Sequence, residues 1–117
     1  MIENRKFIRL KAPLPAEYCL IKKHKRQKTH ATCVKNISVG GLSLVIKESV
    51  RQGDLMQIQI RVPLLQEPVR VTGDVVWHSA HHRDHSDAVL EAGVRFRDVN
   101  PAELNKILDY LYSVAIG

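Results

Sequence analysis

Two short stretches carry residue types suited to holding an anion. Near the start, Arg5-Lys6-Phe7-Ile8-Arg9 sets two arginines four positions apart. A guanidinium offers paired donors to a phosphate, a flat face to a base, and two hydrogen bonds to the O6 and N7 edge of guanine. Two arginines that converge, on a helical turn or along an extended arm, therefore suit a ligand bearing both phosphates and guanines. Taken alone, the same spacing describes an ordinary basic arm. Further along stands Asn36-Ile37-Ser38-Val39-Gly40-Gly41. In an extended segment Asn36 and Ser38 share one face while Ile37 points the other way, towards a core. Asparagine both donates and accepts, and serine adds a hydroxyl. Gly40 and Gly41 permit a tight turn and the close approach of a ligand to bare backbone. Taken alone, this is also the composition of a hairpin turn.

The elements that position these residues read as short strands. Residues 1–12 carry charge with little periodicity and are expected to form a flexible arm; a single domain is expected over 13–117. Strand character begins after Pro13 and Pro15 and runs from Ala16 to Lys22. The run KKHKRQKTH at 22–30 is too polar for a core and reads as a loop or hairpin tip. Ala31 to Ile37 returns to strand character. Leu42, Leu44 and Ile46 fall on one face with Ser43 and Lys47 on the other, and Met56, Ile58, Ile60 and Val62 alternate with Gln57, Gln59 and Arg61. Val69, Val71, Val75 and Trp77 continue the pattern, which makes Trp77 core or barrel wall rather than a stacking platform. HSAHHRDHSD at 78–87 reads as a polar loop, and Leu90, Ala92, Val94 and Phe96 line a last strand, with Arg95 facing outward. The end changes period: Asn100 suits a helix cap, Pro101 the first helical position, and Glu103 a capping box. Leu104, Ile107, Leu108 and Leu111 have helical spacing over about 100–115. Short antiparallel strands followed by one amphipathic helix imply a sandwich or a small barrel with the helix over one end or side.

Composition narrows the function. The chain has 117 residues, which suits one domain, and a net charge of +6, which favours an anionic partner: nucleotide, nucleic acid, anionic membrane or acidic protein. Cys19 and Cys33 have no CxxC partner and read as free thiols in a reducing compartment. The first residues lack the apolar stretch of a signal peptide, and no apolar run approaches the roughly 20 residues that span a bilayer. A cytoplasmic protein is expected. His78, His81, His82 and His85 lie near Asp84 and Asp87 in the polar loop, but a solvated loop supplies no convergent geometry for a metal, and none is expected. No arrangement of nucleophile, base and carboxylate suggests a reaction, so no enzyme is expected. Aromatics are only 5% of the chain, too few for stacking single-stranded nucleic acid, which makes nucleic acid an unfavoured partner.

Taken together and in this order, the two motifs resemble those of the PilZ domain, a bacterial receptor family for cyclic di-GMP with the signature R-x-x-x-R followed by [D/N]-x-S-x-x-G. Arg5 and Arg9 match the first motif; Asn36, Ser38 and Gly41 match the second. VTGDVVWHS and AGVRF are similar to two later strands of the family. The resemblance implies a mainly β fold: a six-stranded antiparallel PilZ-type barrel with a C-terminal helix and a flexible N-terminal arm. It implies a non-catalytic sensor without cofactor that binds cyclic di-GMP on its outer surface and signals to a protein partner. Arg5 and Arg9 would grip phosphates and guanine, Asn36 and Ser38 would contact a guanine, and Gly41 would leave room. Many members carry a further Arg where this chain has Asn4, in a neighbourhood implicated in whether one ligand or a stacked pair is bound. A protein adaptor of the same fold that ignores nucleotide is the alternative.

Overall fold

A computed structural model describes the backbone of residues 10–81 and 89–116 and the side chains of residues 14–79 and 90–114. Among the described residues seven strands precede one helix: β1 (Leu10–Lys22), β2 (Lys25–Arg26), β3 (His30–Ile37), β4 (Gly41–Ile46), β5 (Leu55–Ile60), β6 (Val69–His81), β7 (Val89–Phe96) and α1 (Pro101–Ile116). The strands run in the order β2-β1-β3-β4-β7-β6-β5, and β5 pairs back onto β1. Every pairing is antiparallel. Six strands thus close into a barrel, as the resemblance implied, and the two-residue β2 lies outside it.

Closure follows from alternation. Leu42, Leu44 and Ile46 in β4, and Met56, Ile58 and Ile60 in β5, are buried at every second position. They meet Tyr18 and Leu20 of β1, Val34 of β3, Val69, Val71 and Val75 of β6, and Ala92 and Val94 of β7 in one core. Burial of each large aliphatic is worth about 1.5–3 kcal/mol against exposure. The helix adds Ile107 and Leu111, both fully buried, by packing against β6.

Four details correct or sharpen the sequence expectations. First, β1 begins at Leu10, ahead of both prolines, so the last three residues assigned to the arm belong to a strand. Pro13 falls in a register shift between Lys11 and Leu14, where ladder bonds are already broken. Pro15 accepts a bond from Arg61 N and has no amide to return it, so the β1–β5 ladder ends there. Second, the basic run is a tight hairpin: Lys22 pairs with Lys25, and Lys23 and His24 take positive φ of 52° and 64°. That is the primed turn whose twist matches the flanking strands. Third, β6 continues to His81, so residues 78–81 are strand rather than loop. Fourth, a register shift between Val75 and Trp77 turns the tryptophan outward, and Trp77 is 45% exposed. Alternation alone assigns residue 77 to the inside; one extra residue in the strand reverses every position after it.

Candidate functional site

The polar motif occupies the end of β3 and the turn into β4. Asn36 is the cross-strand partner of Ser43, and its Nδ2 donates to Ser43 Oγ at 3.1 Å. The bond uses one amide hydrogen and leaves the side-chain carbonyl as an acceptor without a partner among the described residues. Ile37 is buried and Ser38 half-buried, so Asn36 and Ser38 lie away from the core as extended geometry requires. Ser38 closes the turn: its N–H donates to Gly41 O at 2.9 Å, its Oγ donates to the same carbonyl at 3.4 Å, and Gly40 N donates to its Oγ at 3.3 Å.

Gly41 has a packing role as well as its place in the motif. A Cβ there would lie 2.2 Å from Val94 O and 3.2 Å from Arg95 Cα, so only glycine lets β4 and β7 approach this closely. Neither Gly40 nor Gly41 has positive φ; the turn does not depend on left-handed backbone.

Cross-strand register extends the polar pair into a band around the outer wall. Lys11 pairs with Asn36, Asn36 with Ser43, Ser43 with Gly93, and Gly93 with Trp77. A Cβ at Gly93 would lie 2.0 Å from the indole Nε1, so the Trp77 ring lies over that glycine. Of this band, sequence reasoning singled out Asn36 alone. Ser43, two after Gly41, and Gly93, between the inward Ala92 and Val94, were readable as outward positions; Trp77 was not, because the bulge in β6 sets its place. Flanking charges are paired: Lys35 Nζ lies 3.0 Å from Glu91 Oε2, and Arg97 Nη1 lies 3.6 Å from Asp74 Oδ1.

Arg5 and Arg9 lie outside the described residues, but the point where the chain enters the fold does not. Leu10, which follows Arg9, is the cross-strand partner of Ile37, between Asn36 and Ser38. His82, His85, Asp84 and Asp87 likewise lie outside the described residues, as does the His81 side chain. Among the described residues no three His, Cys, Asp or Glu side chains converge as metal ligands, and no helix is long and apolar enough to cross a membrane.

A closed antiparallel barrel carries this polar band on its outer wall, and Leu10 enters the fold beside it. The family model for the PilZ domain matches residues 3–113, and the chain belongs to the PilZ domain family. Its fold is similar to that of the Bacillus subtilis inhibitor of motility MotI/DgrA, with a TM-score of 0.73 and 18% identity over 98% of this chain and 52% of that one. It is similar to the Escherichia coli YcgR PilZ domain solved with c-di-GMP, with a TM-score of 0.66 and 19% identity over 97% of this chain and 92% of that one. It also resembles MrkH of K. pneumonia, solved as a c-di-GMP complex, with a TM-score of 0.64 and 15% identity over 99% of this chain and 54% of that one. The chain therefore spans about half the length of MotI and MrkH. A comparison with curated proteins gives no match.

Proposed function

We propose that this chain is a non-catalytic, cytoplasmic receptor for cyclic di-GMP that transmits binding to a protein partner. Arg5 and Arg9 grip the phosphates and guanine from the arm; Asn36 and Ser38 contact a guanine from the barrel wall. Gly41 keeps the surface beside them free of a side chain. The observation that carries this reading is the pairing of Leu10 with Ile37. It roots the arginine-bearing arm beside the polar motif, so both halves of the signature can reach one ligand. The free carbonyl of Asn36 suits the donor edge of guanine, and the arginines suit its acceptor edge and the phosphates. Support also comes from the family and from the ligand in the YcgR and MrkH structures.

Calorimetric titration with cyclic di-GMP tests the reading. The wild type is expected to bind, and Arg5→Ala or Arg9→Ala to abolish binding with an unchanged circular dichroism spectrum. Unchanged affinity in both variants rejects the site. A wild type that neither binds nor gains thermal stability in excess ligand is instead an adaptor.

A further inference from the structure

One cation beside the polar band belongs to the barrel rather than to the arm. Arg95 in β7 is the cross-strand partner of Gly41 in β4 and of Asp74 in β6. It stands two residues beyond Gly93, on the outer face, and is exposed. On the β4 side its neighbour has no side chain, and the Gly41 backbone lies directly against Arg95 Cα. On the β6 side Asp74 is engaged by Arg97 at 3.6 Å. Among the described residues no carboxylate lies within ion-pair distance of the Arg95 guanidinium, whereas Lys35 and Arg97 on the same wall are both neutralised. Residues two apart on a strand are separated by roughly 6.6 Å along it, a distance an arginine side chain spans. Ser38, which bonds the Gly41 carbonyl, stands across the bare glycine from Arg95, so the guanidinium faces the polar motif with no side chain between them.

We infer that Arg95 supplies a fixed positive charge to a phosphodiester of the nucleotide lying against this band; the inference rests on the cyclic di-GMP reading above. Its place within a strand lowers the entropic cost of using it. The strand already fixes its backbone, so only the side chain must be ordered on binding. Among the described residues its guanidinium has no ion pair to give up when it takes a phosphate.

Calorimetric titration with cyclic di-GMP over a salt series tests this, with melting temperature monitored for each variant. Arg95→Gln is expected to weaken binding by about ten- to a hundred-fold, the range of a charge-assisted contact. It should also lower the slope of log affinity against log salt. Arg95→Lys keeps the charge and is expected to stay within several-fold of wild type. Lys28→Gln removes an equal charge at the opposite end of the barrel and is expected to change little. A wild type that binds while Arg95→Gln binds equally well overturns this assignment alone. So does a weakened Arg95→Gln whose salt slope is unchanged, which marks a packing role. A wild type with no affinity overturns the receptor reading, and this inference with it.

Discussion

Tyr18 shows how one polar atom is accommodated in an apolar barrel. Its ring is buried and stacks on His30 with centroids 5.2 Å apart, while its hydroxyl accepts a bond from Lys47 N at 2.8 Å. Burial, with the nearby Glu48 carboxylate, pushes the phenol up from 10.0 to about 12, against the lowering effect of the Lys47 amide. The neutral phenol is thus favoured in the folded state. The stability linked to it is complete below the ordinary value and is lost as pH rises towards the folded one. Tyr18→Phe leaves the Lys47 amide without its acceptor and is expected to cost about 2 kcal/mol in urea melts at neutral pH. The variant should also lose less stability than wild type between about pH 10 and pH 12. A variant as stable as wild type at neutral pH would refute the assignment. Gly41 makes the complementary point about space. Gly41→Ala forces a methyl against the Val94 carbonyl and is expected to destabilise the fold by about 2–3 kcal/mol, read as a lower urea midpoint.

At the scale of elements, the helix is tied to the barrel by its first turn. Asn100 caps it as its residue type predicts: Oδ1 accepts from Ala102 N at 2.8 Å. Glu103 departs from the expected capping box. Its Oε1 accepts from Arg70 N at 2.9 Å, where β6 runs past the end of β7 and an amide would otherwise lack a partner. Its Oε2 meets Lys106 Nζ at 2.9 Å. The Arg70 amide, followed by Lys106, holds the carboxyl below its ordinary 4.5. A lowered folded value stabilises above the ordinary carboxylate range, and that contribution disappears as pH falls through the folded one. Glu103→Gln is therefore expected to lower stability by about 1 kcal/mol at neutral pH. The gap to wild type should narrow in acid, as pH falls through the folded value and the carboxylate is protonated. Denaturant melts at neutral and acid pH check it; a gap that persists in acid would refute the ionic origin.

For the whole molecule, the receptor reading couples a short cationic terminus to a rigid wall. Neutralisation of the arm's charge by the ligand favours binding, so affinity should fall with added salt. Cyclic di-GMP at one hundred times its dissociation constant is expected to stabilise the fold by about 2.7 kcal/mol. That would appear as a melting-temperature increase of several degrees, absent in Arg9→Ala. A salt-independent affinity would argue against an electrostatic clamp.

Local chemistry made much of this protein readable from its sequence. Alternating apolar residues defined β4, β5 and β7, because a strand with one buried face must repeat every two residues. The helix was marked by its cap and its change of period. Each motif alone reads as a basic arm or a hairpin turn; they stood out because their order and spacing resemble the PilZ signature. Tertiary structure decided the rest. The bulge that turns Trp77 outward depends on how β6 meets β7, and the prolines are tolerated in β1 only because of where its ladders break. Glu103 leaves its own helix terminus for a strand amide that sequence could not place beside it. The band from Lys11 to Trp77 crosses five strands; its members are neighbours through register, which long-range packing sets and no local pattern encodes.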